Sequence, residues 1–285
     1  MYKALNYWVF GGFDGQKTAY EFIDWAAEQG LDGVELTIGD CLKDDITKEE
    51  CEKIAAYAKS KNIGLRSIAT GSGWGCGLGT GDEKERTAAV ENVKRYLTIA
   101  SWLGAESVLI VPGATRVAWD PSHPVWSYKT VWESATKSVK ELIPTAEALK
   151  VNIALENVWN RFLISPMEWK LFLDQFDSEY VGIYFDTGNC CLTGRPQDFP
   201  ELLGSRIKAV HVKNFEENDA AGGLHGFGDD LSSGVVNFKE LFAEFDKIGY
   251  KGPFTAEMIP FSRLPDMVLP DIPLAEKTVK ILKSL

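Results

Sequence analysis

The chain has 285 residues, of which 45% are hydrophobic, 12% aromatic and 25% charged, enough apolar material for a large buried core and far from the composition of a disordered segment. Its 41 acidic against 30 basic residues leave a net charge of −11, which opposes partners held through phosphates, so nucleic acid and anionic membrane are not expected partners. The five cysteines include the neighbours Cys190 and Cys191 but form no C-x-x-C pattern, and reduced thiols in the cytoplasm are expected.

The apolar opening MYKALNYWVF is interrupted at Gly11, Gly12 and Asp14, too early for an export signal. Nowhere do about 20 predominantly apolar residues run together, as a spanning helix requires. Short runs rich in Val, Ile, Leu and Ala then recur, each followed by a Gly, Pro, Asn or Asp cluster and a longer amphipathic segment. The predicted strands are Leu5–Phe10, Gly33–Thr37, Gly64–Thr70, Ser107–Val111, Asn152–Glu156, Gly182–Asp186, Ile207–Val212 and Phe254–Met258.

Helices are predicted over Thr18–Gln29, Thr47–Ser60, Glu83–Leu103, Tyr128–Leu149, Ser165–Asp174, Pro196–Leu203, Phe238–Ile248 and Pro273–Ser284. Thr47 with Glu50 forms a capping box, Ser165 precedes a first-turn Pro166, and Gly30, Gly104 and Gly249 stand where helices should stop. Eight strand–helix units predict an α/β fold, a (β/α)8 TIM barrel occupying residues 1–285 as a single domain, with a doubly wound open sheet as the alternative. Two glycine-rich loops stand out. Residues 71–81 alternate glycine with other residues but never satisfy G-x-G-x-x-G, so they read as a mobile loop rather than a phosphate cradle. Residues 214–234 follow the seventh strand and read as a lid or a flexible insertion.

In a barrel of this kind, residues at the carboxyl ends of the strands converge on one mouth. Four apolar strands end in a polar group: Glu156, Asp186, His211 and Glu257. An ionised carboxylate at the rim of an apolar core is costly unless it is paired or holds a cation. Three carboxylates and one imidazole form an oxygen-rich set that suits a single divalent cation, Mn²⁺ first, with Mg²⁺, Co²⁺ or Zn²⁺ as alternatives.

The segments ALENVWNRFLISP, YFDTGN, AVHVKNF and GPFTAEM resemble, in that order, the motifs of strands five to eight of the sugar phosphate isomerase/epimerase family, which includes the D-tagatose 3-epimerase-like enzymes among the xylose isomerase-like barrels. The resemblance implies that Glu156 and Glu257 both bind the metal and exchange protons with the substrate, while Asp186 and His211 complete the coordination. A small sugar would then be epimerised or isomerised through an enediolate, with a base on one face of a carbon and an acid on the other. It also implies a homodimer or homotetramer built through outer helices.

Three positions depart from the tagatose epimerase pattern. Phe162 stands where a second glutamate is found, Asn189 replaces a histidine and so cannot change charge, and Phe215, Glu216 and Glu217 replace a basic residue. The string ENVWNRFLISP is closer to the branch acting on sugar phosphates or keto sugar acids, for which Arg161, Arg116 and Lys213 are candidate charge partners, with Asn189 and Trp8 as further substrate contacts. Trp74 and Trp159 are candidates for stacking on a sugar face, with core packing as the competing role. His123 and His225 are assigned to solvent-exposed loops, and Cys190 has no histidine placed to activate it. Competing functions are an inosose dehydratase-like lyase on the same metal site, a noncatalytic sugar-binding barrel, and a nuclease of the endonuclease IV kind, for which three histidines in an acidic chain are too few.

Overall fold

The computed structural model describes residues 1–74, 77–117, 120–217, 224–259 and 270–285. Eight parallel strands close on themselves: β1 (Tyr2–Asn6), β2 (Gly33–Ile38), β3 (Ser67–Thr70), β4 (Ser107–Ile110), β5 (Asn152–Glu156), β6 (Val181–Asp186), β7 (Ile207–Val212) and β8 (Pro253–Ala256). Each pairs with its sequence neighbours, and β1 pairs with both β2 and β8, so the open-sheet alternative is excluded. Closure leaves no unpaired edge. It also sets β1, β2 and β3 across the barrel from β5, β6 and β7.

The outer layer is α1 (Tyr7–Gly11), α2 (Ala19–Glu28), α3 (Lys48–Ser60), α4 (Glu83–Leu103), α5 (Tyr128–Leu149), α6 (Pro166–Leu173), α7 (Asp198–Leu203), α8 (Phe238–Lys247) and α9 (Ile272–Ser284). Thr47 and Glu50 form the expected capping box, and Ser165 forms another with Glu168 around Pro166. Gly30, Gly104 and Gly249 adopt φ of +66°, +74° and +68°, the left-handed conformation that ends helices and that a Cβ would strain. Among the described residues no helix is long and apolar enough to cross a membrane.

The first strand differs from expectation. Leu5–Phe10 reads as one apolar run, yet β1 ends at Asn6, whose side chain accepts a hydrogen bond from the Trp8 amide and starts the one-turn α1. Residues Tyr7–Phe10 are buried by helix packing rather than by strand pairing. Predicted strand three begins three residues late, at Ser67. In the loop after β7, Glu216–Glu217 pairs antiparallel with Leu224–Gly226 as a short ribbon, while 218–223 lie outside the described residues. In the glycine-rich loop after β3, Ser72–Trp74 form a 3₁₀ turn, and Gly75 and Cys76 lie outside the described residues.

One glycine carries the packing of β6 against its neighbour. A Cβ on Gly182 would lie 2.1 Å from the carbonyl oxygen of Arg206 and 2.7 Å from the Lys208 side chain. Gly182→Ala is expected to lower stability by roughly 1–3 kcal/mol, because backbone and not a flexible side-chain tip would have to move. Chemical denaturation would measure it, and an unchanged midpoint would show that β6 and the start of β7 are not packed this tightly.

Candidate metal centre and active site

Glu156 and Asp186 are the last residues of β5 and β6, His211 is the penultimate residue of β7, and Glu257 follows β8. The ladder continues through Glu257, whose amide still donates to the Val212 carbonyl. One ligating atom from each of the four lies within 4.8 Å of the others. His211 Nδ1 stands 3.3 Å from Glu156 Oε1, 3.6 Å from Glu257 Oε2 and 4.0 Å from Asp186 Oδ2.

Beneath this group lies a residue that reasoning from strand ends passes over. Glu35, in the middle of β2, is fully buried, and its Oε1 accepts from His211 Nε2 at 2.7 Å and from Asn6 Nδ2 at 2.8 Å. Its Oε2 accepts from Ser67 Oγ at 2.5 Å and from the Tyr184 hydroxyl. Since the carboxylate can only accept here, Nε2 carries a hydrogen, so Nδ1 is the nitrogen that faces the other three side chains and would offer its lone pair to a cation once its own proton is shed. A second partner that fixes the tautomer of a ligating histidine is the usual support of a metal site. Burial alone would push Glu35 up, but the charge and hydrogen bond of His211, with those of Ser67 and Tyr184, hold it below the usual carboxylate range.

Asp186 is held just as firmly. Its Oδ1 accepts from the amides of Gly188 and Asn189 at 2.8 and 2.7 Å, leaving Oδ2 for the centre. The Asn157 side chain bonds both backbone groups of Asp186, accepting from its N–H and donating to its C=O, each at 2.8 Å. Asn189 donates to the Asn157 carbonyl at 3.0 Å and lines the mouth.

Lys213 is buried among the acids. Its Nζ lies 2.6 Å from Glu257 Oε2 and 3.5 Å from Asp186 Oδ2, and 4.6 Å above the Phe227 ring, which is itself stacked on Trp159. Gly188 makes room for the lysine stem, because a Cβ there would approach Cγ of Lys213 to 3.0 Å. Burial favours the neutral amine, but Asp186 and Glu257 outweigh it and keep the ammonium charged. Burial raises Asp186 against the pull of Lys213 and pushes Glu156 up to about 7. His211 titrates well above its ordinary value: Glu257, Glu35 and Glu156 overcome its desolvation.

The mouth opens into a cavity of about 790 Å³ to which every strand end contributes, from Trp8 after β1 to Glu257 and Ile259 after β8. Of the four clustered side chains only Glu156 and Glu257 line it; Asp186 and His211 lie fully buried behind them. Trp8, Trp74, Trp159, Asn189 and Lys213 line it too.

Arg161 and Arg116, expected to face an anionic substrate, are exposed and do not line the cavity. The loop after β5 is stitched to the loop after β4, with Asn160 Nδ2 donating to the Gly113 carbonyl and the Thr115 amide to the Asn160 carbonyl. That path holds Arg161 at φ +55° and buries Phe162 in an aromatic cluster with Tyr128, Trp132 and Phe172, away from the mouth. His123 is half-buried, bonded through Nδ1 to the Pro124 carbonyl and away from the cavity, and the side chain of His225 lies outside the described residues. Cys190 is buried and donates to the Thr187 carbonyl, and burial pushes its thiol well up, so it holds no thiolate.

The donor set fits a divalent cation: three carboxylates gathered at one point, and an imidazole whose far nitrogen is already tied. A profile of the family described as Xylose isomerase-like TIM barrel matches residues 23–285, and the chain belongs to that family. It is 27% identical over 183 residues to the uncharacterised protein MJ1311 of Methanocaldococcus jannaschii, covering 62% of this chain and only 58% of that relative. It is 24% identical over 236 residues to an Escherichia coli K12 protein provisionally named L-ribulose-5-phosphate 3-epimerase SgbU (80% and 79% covered), and 23% identical over 220 residues to the inosose dehydratase of Geobacillus thermodenitrificans (69% and 71%). Among solved structures, a D-psicose 3-epimerase crystallised with D-fructose superposes with a TM-score of 0.79 at 14% identity over 100% of this chain and 97% of its own. The IOLI protein with a bound zinc atom superposes at 0.75 and 17% identity over 100% and 96%.

Glu35→Gln is expected to weaken divalent-cation binding by about 10–100-fold, because the amide no longer fixes the His211 tautomer. Titration calorimetry with Mn²⁺ would check it; wild-type affinity in the variant would remove Glu35 from the site. Ligands must shed their protons, and in the free protein Glu156 titrates near 7 and His211 well above its ordinary value. Cation affinity is therefore expected to fall as pH drops below 7, by up to about tenfold per pH unit for each proton displaced. Calorimetry in buffers of different ionisation enthalpy counts those protons, and a pH-independent affinity between 6 and 8 would contradict the assignment.

Proposed function

We propose that the protein is a divalent-metal-dependent epimerase or isomerase of a keto sugar, with Glu156, Asp186, His211 and Glu257 as metal ligands and Glu156 and Glu257 as the acid–base pair. The observation that carries this reading is that the two glutamates alone among the four face both the shared centre and the cavity. The relatives' names, a 3-epimerase among them, support it. Manganese is the preferred cation, with magnesium, cobalt or zinc as alternatives. When bound, the cation supplies a Lewis acid that polarises a carbonyl and offsets negative charge developing on its oxygen.

The chain's own residues do the rest. One glutamate takes the proton from the carbon beside the carbonyl, so that the C–H electron pair becomes the enediolate double bond and the carbonyl pair moves onto oxygen. The other glutamate returns a proton, to the opposite face of that carbon in an epimerase or to the neighbouring carbon in an isomerase. Asp186 and His211, immobilised by the Gly188 and Asn189 amides and by Glu35, do not take part in proton transfer and keep the geometry fixed. Asn189 and Trp8 contact the sugar: one offers an amide, the other an indole face.

The similarity to an inosose dehydratase favours one second reading, in which the same proton abstraction is followed by loss of a neighbouring hydroxyl as water. Solvent deuterium incorporation across ketoses, ketose phosphates, keto sugar acids and a keto-inositol, with manganese added, separates the readings. Exchange at one carbon with product of the same mass identifies the epimerase or isomerase. An ultraviolet-absorbing enone from the keto-inositol identifies the lyase. Glu156→Gln and Glu257→Gln are each expected to lower the exchange rate by about 10²–10⁴-fold. Full exchange in either variant would remove that residue from the acid–base role.

A further inference from the structure

Lys213 lies two residues beyond His211, just past the end of β7, and both ends of it are fixed. Its N–H donates to Thr187 Oγ1 at 2.9 Å, and that hydroxyl donates to the Lys213 carbonyl at 2.6 Å. The Thr187 amide in turn donates to the His211 carbonyl at 3.1 Å, so the lysine leaves the barrel wall at a set point. Its stem passes over Gly188, where a Cβ would crowd both the Lys213 Cγ and the Phe227 ring, at 3.0 and 3.1 Å. At the far end the ammonium meets Glu257 Oε2 at 2.6 Å, Asp186 Oδ2 at 3.5 Å and the Phe227 ring at 4.6 Å. An ammonium has three hydrogens, and these three neighbours account for them.

The two carboxylate oxygens that the ammonium bonds are the ones turned toward the centre, 3.6 and 4.0 Å from His211 Nδ1. A divalent cation held by the four side chains would therefore share two acceptors with Lys213. In their ionised form the three carboxylates of the cluster carry three negative charges, of which such a cation offsets two. Lys213 supplies the remaining positive charge, and like charges on shared oxygens repel. The two glutamates at the cavity are also made unequal. Glu257 is bonded to the lysine, whereas Glu156 Oε1 stands 3.3 Å from His211 Nδ1.

We propose that Lys213 is a positioning residue for proton transfer by Glu257: it holds that carboxylate in one orientation beside the centre and completes the charge balance there, while loosening the hold on the cation. This assignment rests on the acid–base role of the two glutamates. It takes the place of the role that a cationic head at a sugar site suggests first, that of receiving a charge carried by the substrate.

The test compares the wild type with Lys213→Met, whose unbranched stem follows the same path. Two quantities are read: solvent deuterium incorporation at saturating Mn²⁺, on the keto sugar that the wild type exchanges fastest, and the affinity for Mn²⁺ alone by titration calorimetry. The variant is expected to lose about 10²-fold in kcat with KM kept within about threefold. It is expected to bind Mn²⁺ at least about tenfold more tightly, as a like charge leaves the shared oxygens. Damage to packing lowers both quantities together, so changes of opposite sign separate positioning from mere support. A raised KM with kcat kept makes Lys213 a substrate contact and overturns the assignment. An undiminished kcat, or a fall in kcat without a tighter Mn²⁺ site, overturns it too, and in each of these cases the acid–base reading stands. No exchange by the wild type on any keto sugar removes the acid–base reading and this inference with it. Should Lys213→Met fail to fold, Lys213→Ala with ethylammonium supplied is the second arm: the amine should raise kcat by at least about fivefold and ethanol should not. No response to the amine, or an equal response to both, overturns the assignment.

Discussion

Burying three carboxylates and an imidazole at one point of a barrel is tolerable only if every one of them is compensated, and the mouth of this barrel is organised around that requirement. Lys213 offsets part of the charge, Glu35 answers His211, and two backbone amides answer Asp186. The four ligating atoms, all within 4.8 Å of one another, could together hold a metal ion.

The same requirement divides the barrel interior into tiers. Below the four clustered side chains, Asn6, Glu35, Ser67 and Tyr184 form a closed hydrogen-bonded layer in which both Glu35 oxygens are fully used. Such a layer has little freedom to relax, and its bond to Nε2 orients the imidazole above it. Above the four side chains the cavity wall carries acids and aromatic rings on both sides, Trp8 and Asp40 following β1 and β2, and Glu156 and Trp159 at and after the end of β5.

The eight-fold alternation of apolar runs and amphipathic segments was legible in the sequence because strand and helix periodicities differ, and the four clustering residues were legible because each interrupts an apolar strand at its end. Glu35 was not, since it stands in the middle of GVELTI, where an acid has no mouth to face and its partners come from β1, β3, β6 and β7. Asn6 carried a usable signal: an asparagine before an apolar run is a helix cap as readily as a strand residue, and here the cap prevails. The positions of Arg161 and Phe162 depend on a bond between two loops far apart in sequence, Asn160 to Gly113, which no local pattern encodes.

Asn157 stands where the chain leaves β5, directly after Glu156. Its side-chain amide makes with Asp186 the pair of bonds that one more rung of a sheet would make with its backbone. The chain can therefore turn out of the barrel immediately after Glu156 without loosening β5 from β6, and the spacing of those two acids is decoupled from whatever route the following loop takes. A protein built this way can exchange its rim for a new one, acquiring a different clientele, while the distance between the two acids stays where it was.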